Sequence, residues 1–268
     1  MKKKSEKLLG NFKNLLWTIA FLGIVMALNA VFFHSEILNQ MCGAGIVFTI
    51  VILIMTMVKT NSVWRMEENE DIQKTNEYLQ TKYKGKVWCY EGKLSEEEIW
   101  ENPFFRGHIV YPKMQIEGEF QGKKFKFRHI WAEEYHRNAE DHTNNTRYVL
   151  FKGSQLQWID KRFIGNNQLL LFTSGFSKRT GFKPKKAGYI LLRKLQDGSE
   201  IFGLNETDFK AEEFLISLYE KVHKEVKNRE KEICVLLKRD LVEIFVEEIG
   251  LNNSNIQDKM RYIENMIQ

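Results

Sequence analysis

The sequence predicts an α+β protein: an N-terminal two-helix transmembrane hairpin, then a mixed, mainly antiparallel sheet domain with C-terminal helices. Three observations carry this. Two uncharged apolar runs lie within the first 58 residues. Residues from 113 onward alternate apolar and polar side chains with a period of two. The last third contains runs with apolar residues at helical spacing.

Residues 15–33 read LLWTIAFLGIVMALNAVFF and residues 37–58 read ILNQMCGAGIVFTIVILIMTMV. A helix of about 20 apolar residues spans a bilayer core. The first run follows the basic stretch MKKKSEK, as a signal peptide would. It is longer than a signal core, however, and it ends in VFFHSE without a small-x-small cleavage site. A second run begins after only His34, Ser35 and Glu36, which favours a hairpin. Lys2, Lys3, Lys4, Lys7 and Lys13 precede the first run, Lys59 and Arg65 follow the second, and none lies between. Basic flanks stay in the cytoplasm, so both termini are expected there, with the hairpin crossing the plasma membrane. Asn29, Asn39 and Gln40 are candidates to bridge the spans, and Gly43 and Gly45 to allow close approach. Self-association is the alternative use of the same residues. The organisation expected is a basic tail over 1–14, the hairpin over 15–58, a stalk helix over 59–85 and a cytoplasmic domain over 86–268.

Within the stalk, Ile72, Leu79 and Tyr83 keep helical spacing. In LSEEEIWE, Ser95 and Glu98 form a capping-box pattern, and Pro103 ends the short helix. KMQIEGEF over 113–120 and KFKFRHIWAEEY from 124 read as a β-hairpin turned at Gly122, with Phe125, Phe127, His129 and Trp131 on one face. Residues 137–146 read as a polar loop. Further strands are expected over 147–153, continuing or bending through QLQWIDKRF, then within NNQLLLFTSGF, and over 188–195 before the Asp197-Gly198 turn. A helix capped by Thr207 or Asp208 should bury Phe214, Leu215, Leu218 and Val222. The run around Lys238-Arg239-Asp240 reads as a hairpin, with a continuous helix as competitor. A last helix, with Ser254 as cap candidate, carries Ile256, Met260, Ile263 and Ile267.

This order resembles a bacterial family, the domain of unknown function 3137 family. The residues that carry the resemblance are a helix ending in TKYKGKV, the segment EGEFQGKKFKFRHIWAEE, the stretch RYVLFKGSQLQWIDKRFIGNNQLLL, and a terminal strand pair and helix. It covers about residues 60–268, and Phe151-Lys152-Gly153 is its sharpest element. The region 203–228 is shorter than the family pattern. The resemblance implies a membrane-anchored bacterial protein, with no catalytic residue to carry over. Because members neighbour LemA-type membrane proteins, it also implies a membrane-protein partner.

Composition excludes several classes. Three separated cysteines, Cys42, Cys89 and Cys234, make neither a disulfide framework nor a CxxC motif. No Walker loop, GxGxxG, GxSxG or HExxH is present, so no cofactor and no enzymatic chemistry is expected. His129, Glu133, Glu134, His136, Asp141 and His142 cluster in sequence without a metal-ligand spacing, and read as a solvated polar edge. A hydrolase or metal enzyme built on them is the third-ranked reading. The tryptophans Trp64, Trp88, Trp100, Trp131 and Trp158 read as core or membrane-edge residues rather than a ligand cage. Residues 59–268 hold only two of the five net positive charges, too few for a general nucleic-acid binder.

The candidate contact is FSKRTGFKPKK over 176–186, where Lys178, Arg179, Lys183, Lys185 and Lys186 crowd a Gly/Pro-containing loop with Phe176 and Phe182 interleaved. Such a loop suits anionic lipid headgroups or a phosphate-bearing ligand. The leading functional expectation is therefore a membrane-anchored binding or scaffold module without catalysis. Its competitor is a two-span membrane effector whose cytoplasmic domain senses a nucleotide-type ligand.

Overall fold

The computed structural model describes residues 4–30, 35–95, 97–98, 102–104, 109–137, 145–163, 168–204, 209–226, 232–247 and 255–268. The expected loop 137–146, the caps Thr207 and Asp208 and the cap candidate Ser254 fall wholly or largely outside them. Two compact units form, residues 1–74 and 75–268.

In the first unit, α1 (Lys4–Leu28) begins well before residue 15, so most of the expected basic tail is helical. Helix α2 runs without interruption over Glu36–Tyr83, joining the second apolar run and the expected stalk in one element. Gly10–Leu28 and Glu36–Thr60 are long and apolar enough to cross a membrane. Their large side chains point outward, Trp17 being 77% exposed and Phe48 67%. Polar groups instead turn inward. Asn29 is buried and donates from Nδ2 to the Ser35 carbonyl at 2.8 Å and to Asn39 Oδ1 at 2.9 Å. It thus ties the ends of the two helices together, as expected of a polar group in an apolar span. Ser35 Oγ accepts from the Leu38 amide at 3.4 Å, capping α2. Thr18, Thr49 and Thr56 donate to carbonyls four residues back, so each of these hydroxyls is paired within its own helix. A Cβ on Gly45 would lie 3.2 Å from Leu22 Cδ1, so the close approach expected of the glycines is made there, and not at Gly43.

The second unit is built on a nine-stranded sheet: β1 (Val87–Glu91), β2 (Ile109–Phe120), β3 (Lys123–Arg137), β4 (Asn145–Ile159), β5 (Leu169–Phe172), β6 (Ile190–Lys194), β7 (Glu200–Gly203), β8 (Ile233–Lys238) and β9 (Leu241–Val246). The order is β1-β2-β3-β4-β9-β8-β5-β7-β6. Every pairing is antiparallel rather than mixed. The β2–β3 turn places Gln121 and Gly122 at φ 50° and 76°, the backbone of a two-residue hairpin turn. Residues 232–247 form the expected hairpin, not a helix, with Arg239 at φ 57° in its turn. Strands β1 and β7 are absent from the sequence expectation, because VWCYE and EIFG are too short to show a period.

Period-two alternation gives the sheet two different faces. One buries Cys89, Ile116, Phe127, Leu156, Val235 and Ile244. Helices α4 (Phe209–Glu225) and α5 (Ile256–Ile267) carry the matching apolar residues Leu215, Leu218, Val222, Met260 and Ile263. Asn255, rather than Ser254, caps α5, accepting from the Asp258 amide. The end of α2 joins the same unit. Leu79 is fully buried, Asn76 exchanges two hydrogen bonds with the Cys89 backbone at 2.8 and 2.7 Å, and Tyr83 donates to Glu264. The opposite face holds an aromatic cluster that includes Ile130, Phe151, Phe172 and Phe245. Phe104 stacks edge-on against Phe176 at 5.0 Å and Phe245 at 5.5 Å.

Strand β4 sits between β3 and β9, and Gly153 is where they crowd it. A Cβ there would overlap the Val246 carbonyl oxygen and lie 2.7 Å from Phe151 Cζ and 2.9 Å from Glu247 Cα. Gly153→Ala should destabilise the domain by about 3 kcal/mol, the upper end for overpacking. Urea unfolding followed by tryptophan fluorescence checks this, with Gly122→Ala, strained only by its turn, costing about 1 kcal/mol.

Candidate functional site

The segment singled out by its charge is not a loop. Residues Ser174–Thr180 form helix α3, closed by Gly181 in the left-handed conformation, and Pro184–Ala187 form a 3-10 turn closed by Gly188. Ser177 Oγ donates to the Phe182 carbonyl at 2.8 Å and fixes the link between them. The interleaved aromatics belong to the core: Phe176 is 2% exposed, and Phe182 packs on Phe104 at 5.0 Å. Lys178, Lys183, Lys185 and Lys186 are exposed, with no acidic partner among the described residues. Arg179 differs, since it pairs with Glu247. The structure therefore presents four open lysines on a rigidly capped surface.

A second site is assembled by register alone. Cross-strand pairing lines up Trp88, Glu117, Lys126, Gln157, Glu243 and Leu236 across six strands in one row. The next row contains Tyr90, Gln115, Arg128 and Gln155. Above them a cavity of about 740 Å³ opens on the polar half of the face, beside the aromatic cluster. Leu94, Glu98 and Asn102 line its other side.

The floor centres on Glu243, 5% exposed. It accepts from Gln157 at 2.6 Å, Gln155 at 3.4 Å and Asn102 at 3.3 Å, all neutral amides. Burial pushes its carboxyl pKa up, only partly opposed by those amides and by the positive charges of Arg128 and Lys238. Beside it Arg128 is fully buried, with Nη2 on Glu98 and 3.4 Å from Gln157 Oε1. Lys126 lies 3.2 Å from Glu98 and 3.3 Å from Glu117. The expected capping box forms, Ser95 Oγ accepting from the Glu98 amide at 3.1 Å and the Ser95 amide donating to Glu98 Oε2 at 3.0 Å. Burial alone would raise the Glu98 pKa. The Arg128 hydrogen bond, the Ser95 amide and the two cationic charges outweigh it and lower the value to about 2.

The wall toward the sheet edge is aromatic, Trp88 and Tyr90 being 40% and 43% exposed. Four lysines and four glutamates line the cavity. It is charge-balanced rather than a trap for anions. No serine, threonine, cysteine or histidine lines it among the described residues.

The histidine-rich stretch converges less. His129 and Glu133 are buried on β3, with His129 Nδ1 3.5 Å from Ser154 Oγ. Asp141, His142 and the side chain of His136 lie outside the described residues. No three metal-ligating side chains meet among the described residues. Trp131 carries the Lys152 ammonium 4.7 Å over its ring, and Trp158 is buried. Trp100 and the side chain of Trp64 are outside the described set. Trp88, expected in a core or at a membrane edge, is exposed rather than in the core and lines the cavity wall.

No family model matches the chain, and no similar curated protein or solved structure is found.

The lowered Glu98 pKa fixes a pH dependence. Stability from this carboxylate is fully present above its ordinary value of 4.5 and is lost as pH falls toward about 2. Glu98→Gln should cost about 2 kcal/mol at pH 7, because Arg128 stays buried without its carboxylate while Glu98 itself is partly solvated. It should also flatten the acid limb of a stability-against-pH curve measured by chemical denaturation.

Proposed function

We propose that the chain is a membrane-anchored binding module of a bacterial plasma-membrane complex, without catalytic activity. The observation that carries this is the pair of long apolar helices with outward-facing apolar side chains, chain-linked through α2 to a sheet domain. The lysine-rich flanks argue for cytoplasmic termini and a cytoplasmic sheet domain. The resemblance to the domain of unknown function 3137 family points to a membrane-protein partner, and the hairpin also suits self-association. Lys178, Lys183, Lys185 and Lys186 suit anionic headgroups, at roughly 1 kcal/mol for each lysine near the surface.

A second reading, a membrane effector gated by a nucleotide-type ligand, is favoured by the cavity. It moves the candidate ligand contact from the basic segment to the sheet.

A pull-down of the tagged full-length chain in mild detergent, with mass spectrometry of proteins and small molecules, separates the two. A stoichiometric membrane protein or a second copy supports the scaffold reading, and a bound small molecule without protein partner supports the effector. For the lysines, hydrogen exchange over residues 174–188 should slow severalfold when phosphatidylglycerol replaces phosphatidylcholine in nanodiscs. Lys185→Glu with Lys186→Glu should remove that difference.

A further inference from the structure

The two edges of the sheet are finished differently. At β1, the Asn76 side chain donates to the Cys89 carbonyl at 2.8 Å and accepts from the Cys89 amide at 2.7 Å. One side-chain amide thus takes the place of a further strand and blunts that edge against pairing. At the other edge, β6 is exposed at four of its five residues. Ile190 and Leu191 are 49% and 44% exposed, and Leu204, next to the register partner of Ile190, is 38% exposed. An open edge with aliphatic side chains is a template for an extended chain, since ladder hydrogen bonds give affinity and alternate side chains give specificity.

Charge selects the occupant. Residues 183–194 hold five basic side chains and no acidic one. Arg193 and Lys194 are matched within the domain by Glu212 and Glu200, each at 3.5 Å. Lys183, Lys185 and Lys186 are exposed and have no acidic partner among the described residues. They lie on the 3-10 turn that leads into β6, and the turn is held by buried Tyr189, whose amide donates to the Pro184 carbonyl at 3.0 Å. A second copy paired antiparallel with β6 would set this basic turn against the Arg193 and Lys194 end of its neighbour, and like charges repel. A lipid surface would use the lysines and leave the strand edge unpaired. An acidic extended chain uses both.

We infer that β6 is the docking edge for an extended acidic segment of a partner protein. The segment adds a strand beside β6, lays aliphatic side chains against Ile190 and Leu191, and pairs its carboxylates with Lys185 and Lys186. The inference rests on the binding-module reading and names the chemistry of the partner.

The test selects from a phage-displayed library of random peptides on the full-length chain in phosphatidylcholine nanodiscs. Enriched peptides should carry acidic residues around an alternating aliphatic core. A synthetic copy of the most enriched peptide should slow hydrogen exchange over 189–195 severalfold and leave 87–91 unchanged. Lys185→Glu with Lys186→Glu, both at exposed positions, should weaken its binding by about tenfold or more. N-methylation of alternate peptide amides should do the same, because it removes the ladder donors. No enrichment, enrichment of neutral or basic peptides, protection away from β6, or binding indifferent to N-methylation overturns the inference. Loss of the phosphatidylglycerol-dependent protection over 174–188 in the double variant, with no peptide enriched, overturns it in favour of lipid. The detergent pull-down distinguishes this failure from that of the binding-module reading. A stoichiometric protein partner retained by the double variant keeps that reading without the β6 edge, whereas no protein partner ends both.

Discussion

The register of β4 between β3 and β9 is the constraint on which the sheet domain depends. Because side chains alternate, a slip of one residue would exchange the two faces of a fifteen-residue strand at once. Leu156 and Trp158 would leave the helix-covered face, and Gln155 and Gln157 would be driven under it. Gly153 holds this register sterically, since only a residue without a side chain lets β9 pass so near. The short Phe-Lys-Gly motif therefore has a packing reason. Its phenylalanine supplies the aromatic cluster, its lysine lies over Trp131, and its glycine admits the neighbouring strand.

That constraint also divides one sheet face between two tasks. Toward β5 and β7, the aromatic cluster closes it with Phe104, Phe176 and Tyr189. Toward β1 and β2, the same face turns polar and stays open. The two halves meet at β9, where Phe245 belongs to the core and Glu243, two residues earlier, belongs to the cavity floor. Core packing and the open cavity are in this way drawn from one strand without competing for the same positions. The capped turn at Ser95 links them again, because Glu98 neutralises Arg128 while Asn102 both supports Glu243 and accepts from the Phe104 amide at 2.9 Å.

Much of this architecture is legible in the residues. The two apolar runs, the Gly122 hairpin, the capping box and the terminal hairpin and helix each rest on local patterns of under twenty-five residues. What was not legible depends on distance along the chain. The basic stretch looked like a loop because Gly181, Pro184 and Gly188 are loop residues, yet they cap a short helix and a 3-10 turn held down by Phe176 and Phe182. The cavity floor draws Trp88, Glu117, Lys126, Gln157 and Glu243 from five strands spread over more than 150 residues, and no spacing rule connects them. Alternating polar residues on strands that are also buried were the available signal. Gln155, Gln157 and Glu243 are polar side chains in apolar strands, where a two-sided core would have no use for them.

The most direct check of the account is disulfide trapping across β4 and β9. Gln157 and Glu243 are directly opposed, whereas Ile244 points to the other face. In full-length protein under mild oxidation, Gln157→Cys with Glu243→Cys should cross-link efficiently, because opposed Cβ atoms approach disulfide distance. Gln157→Cys with Ile244→Cys should not. Efficient cross-linking of the second pair, with none in the first, would place Glu243 outside the cavity floor and contradict the register from which the site is built.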